Sequence, residues 1–350
     1  MEIKEKKVEI FSGTGGVGKT TIATSRAVYL ATSGKKVLLI TIDPAKRLKE
    51  VMQMDDKDAG IVQTLHSPIP TENPYQLDVL LMNPEHTIKK ISQRSQSQDV
   101  LDNRILKILS KPYGGLNEIL SVVELEEYFS QNVYDVIVLD TPPGGHFLDF
   151  LESVEKIKAF FDESFIDIFN YLGKKIANNK MMSRSRAFVT MVVSSGVKKL
   201  LSYLQMVTGA SFVNDFMDAI GAIYQTKDSF LKALNLQDKL KDERYTNWFL
   251  VTSVEQNKIF EALELQEKAK DFLNHKSYAI LNKSLKSKLE AWEPAKEKNK
   301  MLKKTLLEKE ERLQNLLGPK FQELLEFPEI LTLGPQDHVA QLVKNWNQYN

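Results

Sequence analysis

Residues 13–21 read GTGGVGKTT, in which Gly13 is followed after four residues by Gly18, Lys19 and Thr20. This is the phosphate-loop pattern. Its glycines let backbone N–H groups turn onto phosphate oxygens without Cβ interference, and the helix that follows aims its positive end at the same anion. Gly13, Thr14, Gly15, Gly16, Val17, Gly18, Lys19, Thr20 and Thr21 form the candidate cradle for a nucleotide. Lys19 is expected on the β- and γ-phosphates, and the Thr20 hydroxyl on Mg²⁺. Two carboxylates follow apolar runs. Asp43, in TIDPAKRL (41–48), either orients and deprotonates an attacking water or caps a helix that Pro44 opens. Asp140, in VIVLDTPPGGH (136–146), has the Walker B form and would hold Mg²⁺ through water. Pro142, Pro143, Gly144 and Gly145 then make either a loop that senses the γ-phosphate or a plain strand-end turn. The combined chemistry is Mg²⁺-dependent hydrolysis of a nucleoside triphosphate, with Asp43 and Lys19 as the catalytic pair.

Such residues need a sheet edge to stand on. KVEIFSG (7–13) reads as a buried strand feeding the loop, and TTIATSRAVYLATSGKK as a helix stopping near Gly34. Further strands are expected over 36–43, 134–140, 248–253 and 278–282. All are near-continuous apolar runs, as parallel strands covered on both faces should be. The fold class is therefore α/β: a P-loop NTPase with a mostly parallel, doubly wound sheet and an inserted α-helical subdomain. The expected division is a P-loop ATPase domain over 1–147 and 244–350, with the insert at 148–243 and helices of 84–128 alongside. Apolar residues in the insert recur at helical spacing, as in Phe161, Phe165, Ile168 and Leu172, or Phe212, Phe216, Ala219 and Ile223. The charged stretch 283–326 contains KEKNKMLKKTLLEKEERL, which reads as a solvated helix.

Composition narrows the function classes. Of 350 residues, 42% are hydrophobic and 27% charged, in keeping with a soluble globular chain. A net charge of +1 gives no electrostatic case for a nucleic-acid partner. Cysteine is absent, which removes disulfides, thiolate metal sites and cysteine nucleophiles. His66, His86, His146, His275 and His338 show no i, i+4 pair, so no zinc site is expected. MEIKEKK at the start has no apolar core, and the run 200–214 is too short for a membrane span. A cytoplasmic location without stable membrane insertion is the expectation. The final HVAQLVKNWNQYN places Val339, Leu342, Val343 and Trp346 on one helical face, as for a docked terminal helix rather than a membrane anchor.

FSGTGGVGKTT, DPAKRL, DTPPGGH and VTSVEQNKIFEAL together resemble the ArsA family, which includes arsenite-pump and tail-anchored-protein-targeting ATPases. The resemblance spans nearly the whole chain. It implies ATP and Mg²⁺ as ligands, and a homodimer, or a heterodimer with a related ATPase, closing on two nucleotides. It also implies that Asp43 activates water, that Asn282 reads adenine, and that Pro335, in TLGPQDHV (332–339), lies near the base; the alternative at Pro335 is an ordinary Gly-Pro turn. Relatives carry lysine at position 14, reaching the partner's nucleotide; here it is Thr14. Either Lys46 or Arg47 supplies that charge, or hydrolysis is slow, or a lysine-bearing partner is required; Lys46 and Arg47 read equally as a solvated helix start. Absence of cysteine argues against arsenite export and against an intersubunit zinc. In targeting relatives the insert forms an apolar groove for a client helix. Phe147, Phe150, Phe160, Phe161, Phe165, Phe169, Met181, Met182, Met191, Met206 and Met217 either line such a groove or build the subdomain's own core. Two other functions stay open: a nucleotide-gated binding protein with negligible turnover, and a division-site or partitioning ATPase acting at a membrane.

Overall fold

The computed structural model describes residues 3–42, 46–94, 117–160, 226–274, 277–332 and 334–349, with short pieces between 205 and 219. The apolar runs are strands, because a strand buried on both faces can place an aliphatic or aromatic side chain at every position. Along the chain these are β1 (Val8–Gly13), β2 (Val37–Thr41), β3 (Gln63–His66), β4 (Gln76–Leu81), β5 (Val136–Asp140), β6 (Thr246–Ser253), β7 (Ser277–Ser284) and β8 (Glu323–Pro328). They form one sheet in the order β3-β4-β2-β5-β1-β6-β7-β8. All neighbours are parallel except β3 and β4. β5 enters between β1 and β2, so the carboxyl ends of these three strands meet at one crevice, where ligands of open α/β sheets bind.

Three strands are additions to the sequence reading, and all sit toward the edges. β3 is only QTLH, half in solvent, and too short to show a period. β4 sits among turn residues just before a helix. β8, ELLEFP, begins at the end of the charged stretch 283–326, past the part of it read as a helix; its two glutamates and terminal proline suit an edge strand. The helix in that stretch is also not wholly solvated. It spans Glu297–Leu317 and buries Glu310, Leu313 and Leu317, the leucines packing with Ile259 and Leu281.

Helix α1 (Lys19–Thr32) lies almost entirely inside the protein, and even its Arg26 is fully buried. It ends where Gly34 takes a left-handed φ of 83° and the N–H groups of Ser33, Gly34 and Lys35 fold back on the last carbonyls. A short helix α2 (Lys46–Met52) follows β2. The last helix, Pro335–Asn345, turns Val339, Leu342, Val343 and the following Trp346 inward. Trp346 donates its indole N–H to Ser25 Oγ of α1 at 2.9 Å. A docked terminal helix is thus what the structure shows. The core beneath is aromatic: Phe11, Phe249 and Tyr278 stack across three neighbouring strands, and Trp346 meets Phe11 and Phe249 edge-on.

The chain divides into two units. One comprises Met1–Asn83, Leu125–Leu151 and Leu236–Asn350, and holds the sheet. The other comprises Pro84–Glu124 and Glu152–Asn235. The described secondary structure of the second unit is helical. Within it Glu124 is buried and accepts from the Thr87 hydroxyl at 2.8 Å and from the Lys90 ammonium at 2.5 Å. Met206, Val207 and Phe212 are exposed there. Phe147 and Phe150, read as groove candidates, are core residues of the sheet unit; Phe147 packs edge-on against Trp248. Phe161, Phe165, Phe169, Met181, Met182, Met191 and Met217 lie outside the described residues, as does the Phe160 side chain.

Candidate functional site

β1 delivers Gly13 to the crevice with no room for a side chain: a Cβ there would stand 2.4 Å from the Val251 carbonyl oxygen of β6. The loop then turns through Gly16 (φ 82°) and Gly18 (φ 88°), both in the left-handed region that glycine enters freely. Gly15 and Gly16 form its exposed rim, Val17 is buried, and Gly18 caps α1. Lys19, Thr20 and Thr21 open the helix. Residues 13–21 thus make one continuous turn into a helix N-terminus, with the geometry an anion cradle needs.

The Asp140 carboxylate, at the end of β5, organises the floor. It is buried, as is Lys19. Lys19 Nζ donates to Asp140 Oδ1 at 2.5 Å and also to the Thr141 carbonyl. The Thr20 hydroxyl donates to Asp140 Oδ2 at 2.8 Å, and the Thr41 hydroxyl to the same oxygen at 3.2 Å. Thr41 was not singled out in the sequence; it is the last residue of β2, and only the β2–β5 pairing sets it opposite Asp140. Beyond Asp140, Thr141 donates its hydroxyl to the Phe11 carbonyl at 2.8 Å, and Gly144, with φ 54°, donates its N–H to the Gly13 carbonyl at 3.1 Å. The loop after β5 is therefore stitched to the phosphate loop, so a change in one is felt by the other.

Thr14 is buried, and its hydroxyl has no hydrogen-bond partner. An orphaned buried hydroxyl in a glycine-rich loop that runs into a helix N-terminus fits a polyoxyanion ligand. The cation side also fits. Among the described residues no cluster of three or more His, Cys, Asp or Glu could form an all-protein cage, whereas Thr20 and Asp140 offer a hydroxyl and one carboxylate. That is a donor set suited to Mg²⁺ shared with phosphates.

Asn282, near the end of β7, reaches the loop by donating Nδ2–H to the Val17 carbonyl at 2.9 Å. Pro335 is the first residue of the last helix, as its fixed φ suits. The next residue, Gln336, donates to the carbonyls of Val51 at 3.2 Å and Pro68 at 3.1 Å, tying this helix to the end of α2. Asp43 and the Lys46 side chain lie outside the described residues. Behind the site, β1 and α1 share a pair that the sequence did not advertise: Arg26 grips Glu9 through Nε at 2.8 Å and through a second nitrogen at 3.0 Å, both side chains fully buried.

His338, on the last helix, is held below its ordinary value of 6.5, first by burial and then by the charge of Arg47; Lys283 adds to this and Glu329 opposes it. The unfolded chain therefore takes up this proton at higher pH than the folded one. Its contribution to stability is complete above 6.5 and is lost as pH falls through the depressed value. Denaturant midpoints are expected to fall on acidification through this window. His338→Gln, compared with wild type across it, should flatten part of the fall, and an unchanged slope would remove His338 from the account.

No helix among the described residues is long and apolar enough to cross a membrane. The family model described as "Anion-transporting ATPase" matches residues 6–321. Putative arsenical pump-driving ATPase 2 of Aquifex aeolicus is 32% identical over 162 residues, covering 45% of this chain and 52% of that protein. ATPase GET3 of Mycosarcoma maydis is 31% identical over 165 residues, covering 46% and 47%. A putative arsenical pump-driving ATPase of Halobacterium salinarum is 29% identical over 170 residues, covering 46% and 26%. The chain thus spans about half, or less, of the length of these curated relatives. On the match across most of its length, the chain belongs to the ArsA family of anion-transporting ATPases.

Proposed function

We propose that the chain is a Mg²⁺-dependent ATPase of the protein-targeting or chaperone type, in which nucleotide-driven closure of a dimer remodels a helical, client-binding part of the chain. The observation that carries the catalytic reading is the buried Lys19–Asp140 pair, with Thr20 on the same carboxylate, at the mouth of the phosphate loop. In this reading the loop amides and Lys19 hold the β- and γ-phosphates. Thr20, and Asp140 through water, hold Mg²⁺, which when bound offsets phosphate charge. Asp43 orients and deprotonates the attacking water. Asn282 has a second N–H and its carbonyl, beyond the bond to Val17, with which to read an adenine edge. The stitch from Gly144 to Gly13 lets the loop after β5 respond to the phosphates. The insert, placed at 148–243 with helices of 84–128 beside it, takes up a hydrophobic helical client, and the exposed Met206, Val207 and Phe212 support that role. The chain has no cysteine with which to hold a metalloid, which favours a protein client over arsenite, and a cytoplasmic site of action follows from that role.

The test is Mg²⁺-ATP hydrolysis by wild type, Asp43→Asn and Thr14→Lys, with mass in solution followed in parallel. Wild type should turn over and double its mass with ATP, and Asp43→Asn should lose at least about 100-fold in rate. A wild type that binds ATP without turnover, and is awakened by Thr14→Lys, would instead make the chain a nucleotide-gated binding protein or the silent half of a pair.

A further inference from the structure

Asn282 and Lys283 are consecutive residues of β7, yet both reach the phosphate loop. Asn282 bonds the Val17 carbonyl, and the Lys283 ammonium donates to the Gly16 carbonyl at 3.3 Å. A regular strand cannot do this, because successive side chains point to opposite faces. The backbone supplies the exception. Lys283 sits at φ 62°, in the left-handed region that a residue with a Cβ enters only under constraint. The pairing of β7 with β8 slips there, between Leu281 and Ser284. A bulge of this kind re-aims a side chain, and here it swings the lysine to the side of the loop.

The strained turn is braced from behind. Glu310, buried on the long charged helix, accepts from the Ser284 hydroxyl and the Leu285 N–H, each at 2.8 Å. The Ser284 carbonyl in turn accepts from the Glu329 N–H at 2.8 Å. Strain that the surroundings enforce on both sides, with nothing gained for the core, points to a use at the site.

The place the ammonium occupies is the rim formed by Gly15 and Gly16, which is exposed. Arg47 of α2 and Lys283 both act on His338 of the last helix, against a single opposing acid, Glu329. Gln336 secures that helix to the end of α2. Lys283 thus brings a positive group to the rim, whereas Thr14 inside the loop carries none.

We propose that Lys283 binds the phosphate chain of the nucleotide held by its own subunit's loop, supplying in cis the positive charge that position 14 lacks. This rests on the nucleotide reading above and goes beyond it by naming the residue and the direction from which the charge comes. An ammonium on a flexible stem, already at the loop's outer carbonyl, needs only a change of rotamer to meet a phosphate oxygen.

The test is calorimetric binding of ATP and of adenosine without Mg²⁺, at low and high salt, to wild type, Lys19→Ala, Lys283→Gly, Lys283→Ala and Lys283→Arg. Glycine is the decisive variant, because it removes the ammonium while relieving the left-handed backbone, so misfolding is not the outcome. Both Lys283→Gly and Lys283→Ala should weaken ATP about tenfold, the loss expected for one charge-assisted contact, and leave adenosine unchanged. The gap to wild type should narrow in high salt, and Lys283→Arg should close most of it. The inference is overturned if Lys283→Gly binds ATP as wild type does. It is equally overturned if ATP and adenosine weaken by the same factor, since the turn would then serve only to place Asn282. Wild-type binding that is lost in Lys19→Ala upholds the nucleotide reading whichever way Lys283 falls. A wild type that binds no ATP overturns both.

Discussion

Asp140→Ala should lower the unfolding free energy by about 3–5 kcal/mol and abolish Mg²⁺-dependent hydrolysis. The stability loss follows from what the change strands. Lys19 is buried and donates to Asp140 at 2.5 Å, with the Thr141 carbonyl as its other partner. Without the carboxylate, an ammonium remains in a site with little water and no counter-charge, which is the costly way to break a buried ion pair. The Thr20 and Thr41 hydroxyls lose their shared acceptor in the same step. Lys19→Met combined with Asp140→Ala should recover most of the stability, because no charge is then left alone. It should recover none of the activity, since both of the proposed holders of phosphate and Mg²⁺ would be gone. Urea denaturation of the three variants, with hydrolysis assayed alongside, separates the two effects. A loss under about 1 kcal/mol for Asp140→Ala would mean that water solvates Lys19 and that the pair does not close the site floor.

The second large effect is behind the loop. Glu9→Ala should also cost about 3–5 kcal/mol, because it leaves the Arg26 guanidinium uncompensated among apolar neighbours. Both side chains are fully buried, and the guanidinium lies 4.8 Å from the centre of the Trp346 ring and 5.6 Å from that of Tyr29. Asn247 adds an N–H to Glu9 Oε1 at 3.3 Å. Arg26→Ala should cost a similar amount and additionally open a void under Trp346. Glu9→Leu with Arg26→Met keeps the volume and removes both charges, so it should return stability to within about 1–2 kcal/mol of wild type. Denaturant melts over this cycle measure the coupling. Additive single losses would show that each residue acts alone. Nucleotide affinity should change far less than stability, since Arg26 sits about two helical turns past Lys19.

Much of the site could be read from the residues in order. Gly13, Gly18, Lys19 and Thr20 announce a phosphate loop because close backbone approach, a left-handed turn and a phosphate-reaching ammonium each demand one residue type at one spacing. The central strands were legible for a similar reason: VIVLD and WFLVTS are apolar at nearly every position, as burial on both faces requires. β3 and β8 were not, because an edge strand half in solvent carries no such pattern, and β4, although paired on both sides, alternates exposed and buried residues at its start among turn residues. The terminal helix showed its buried face through Val339, Leu342, Val343 and Trp346, spaced as one helical stripe.

What the sequence could not supply is the pairing of distant residues. Nothing about Thr41 distinguishes it until β5 enters beside β2 and sets it opposite Asp140. Glu9 and Arg26 look like ordinary surface charges on a strand and a helix, and only burial of that helix against β1 turns them into an ion pair. Lys283 is one lysine among many until a slipped register and a left-handed φ bring it to Gly16. The physical reason is the same in each case. Local pattern fixes residue types that chemistry or burial requires within a few positions of one another. A contact outside that window, whether 17 positions apart as for Glu9 and Arg26, 99 as for Thr41 and Asp140 or 267 as for Lys283 and Gly16, exists only once the strands and helices have been packed in their order and register.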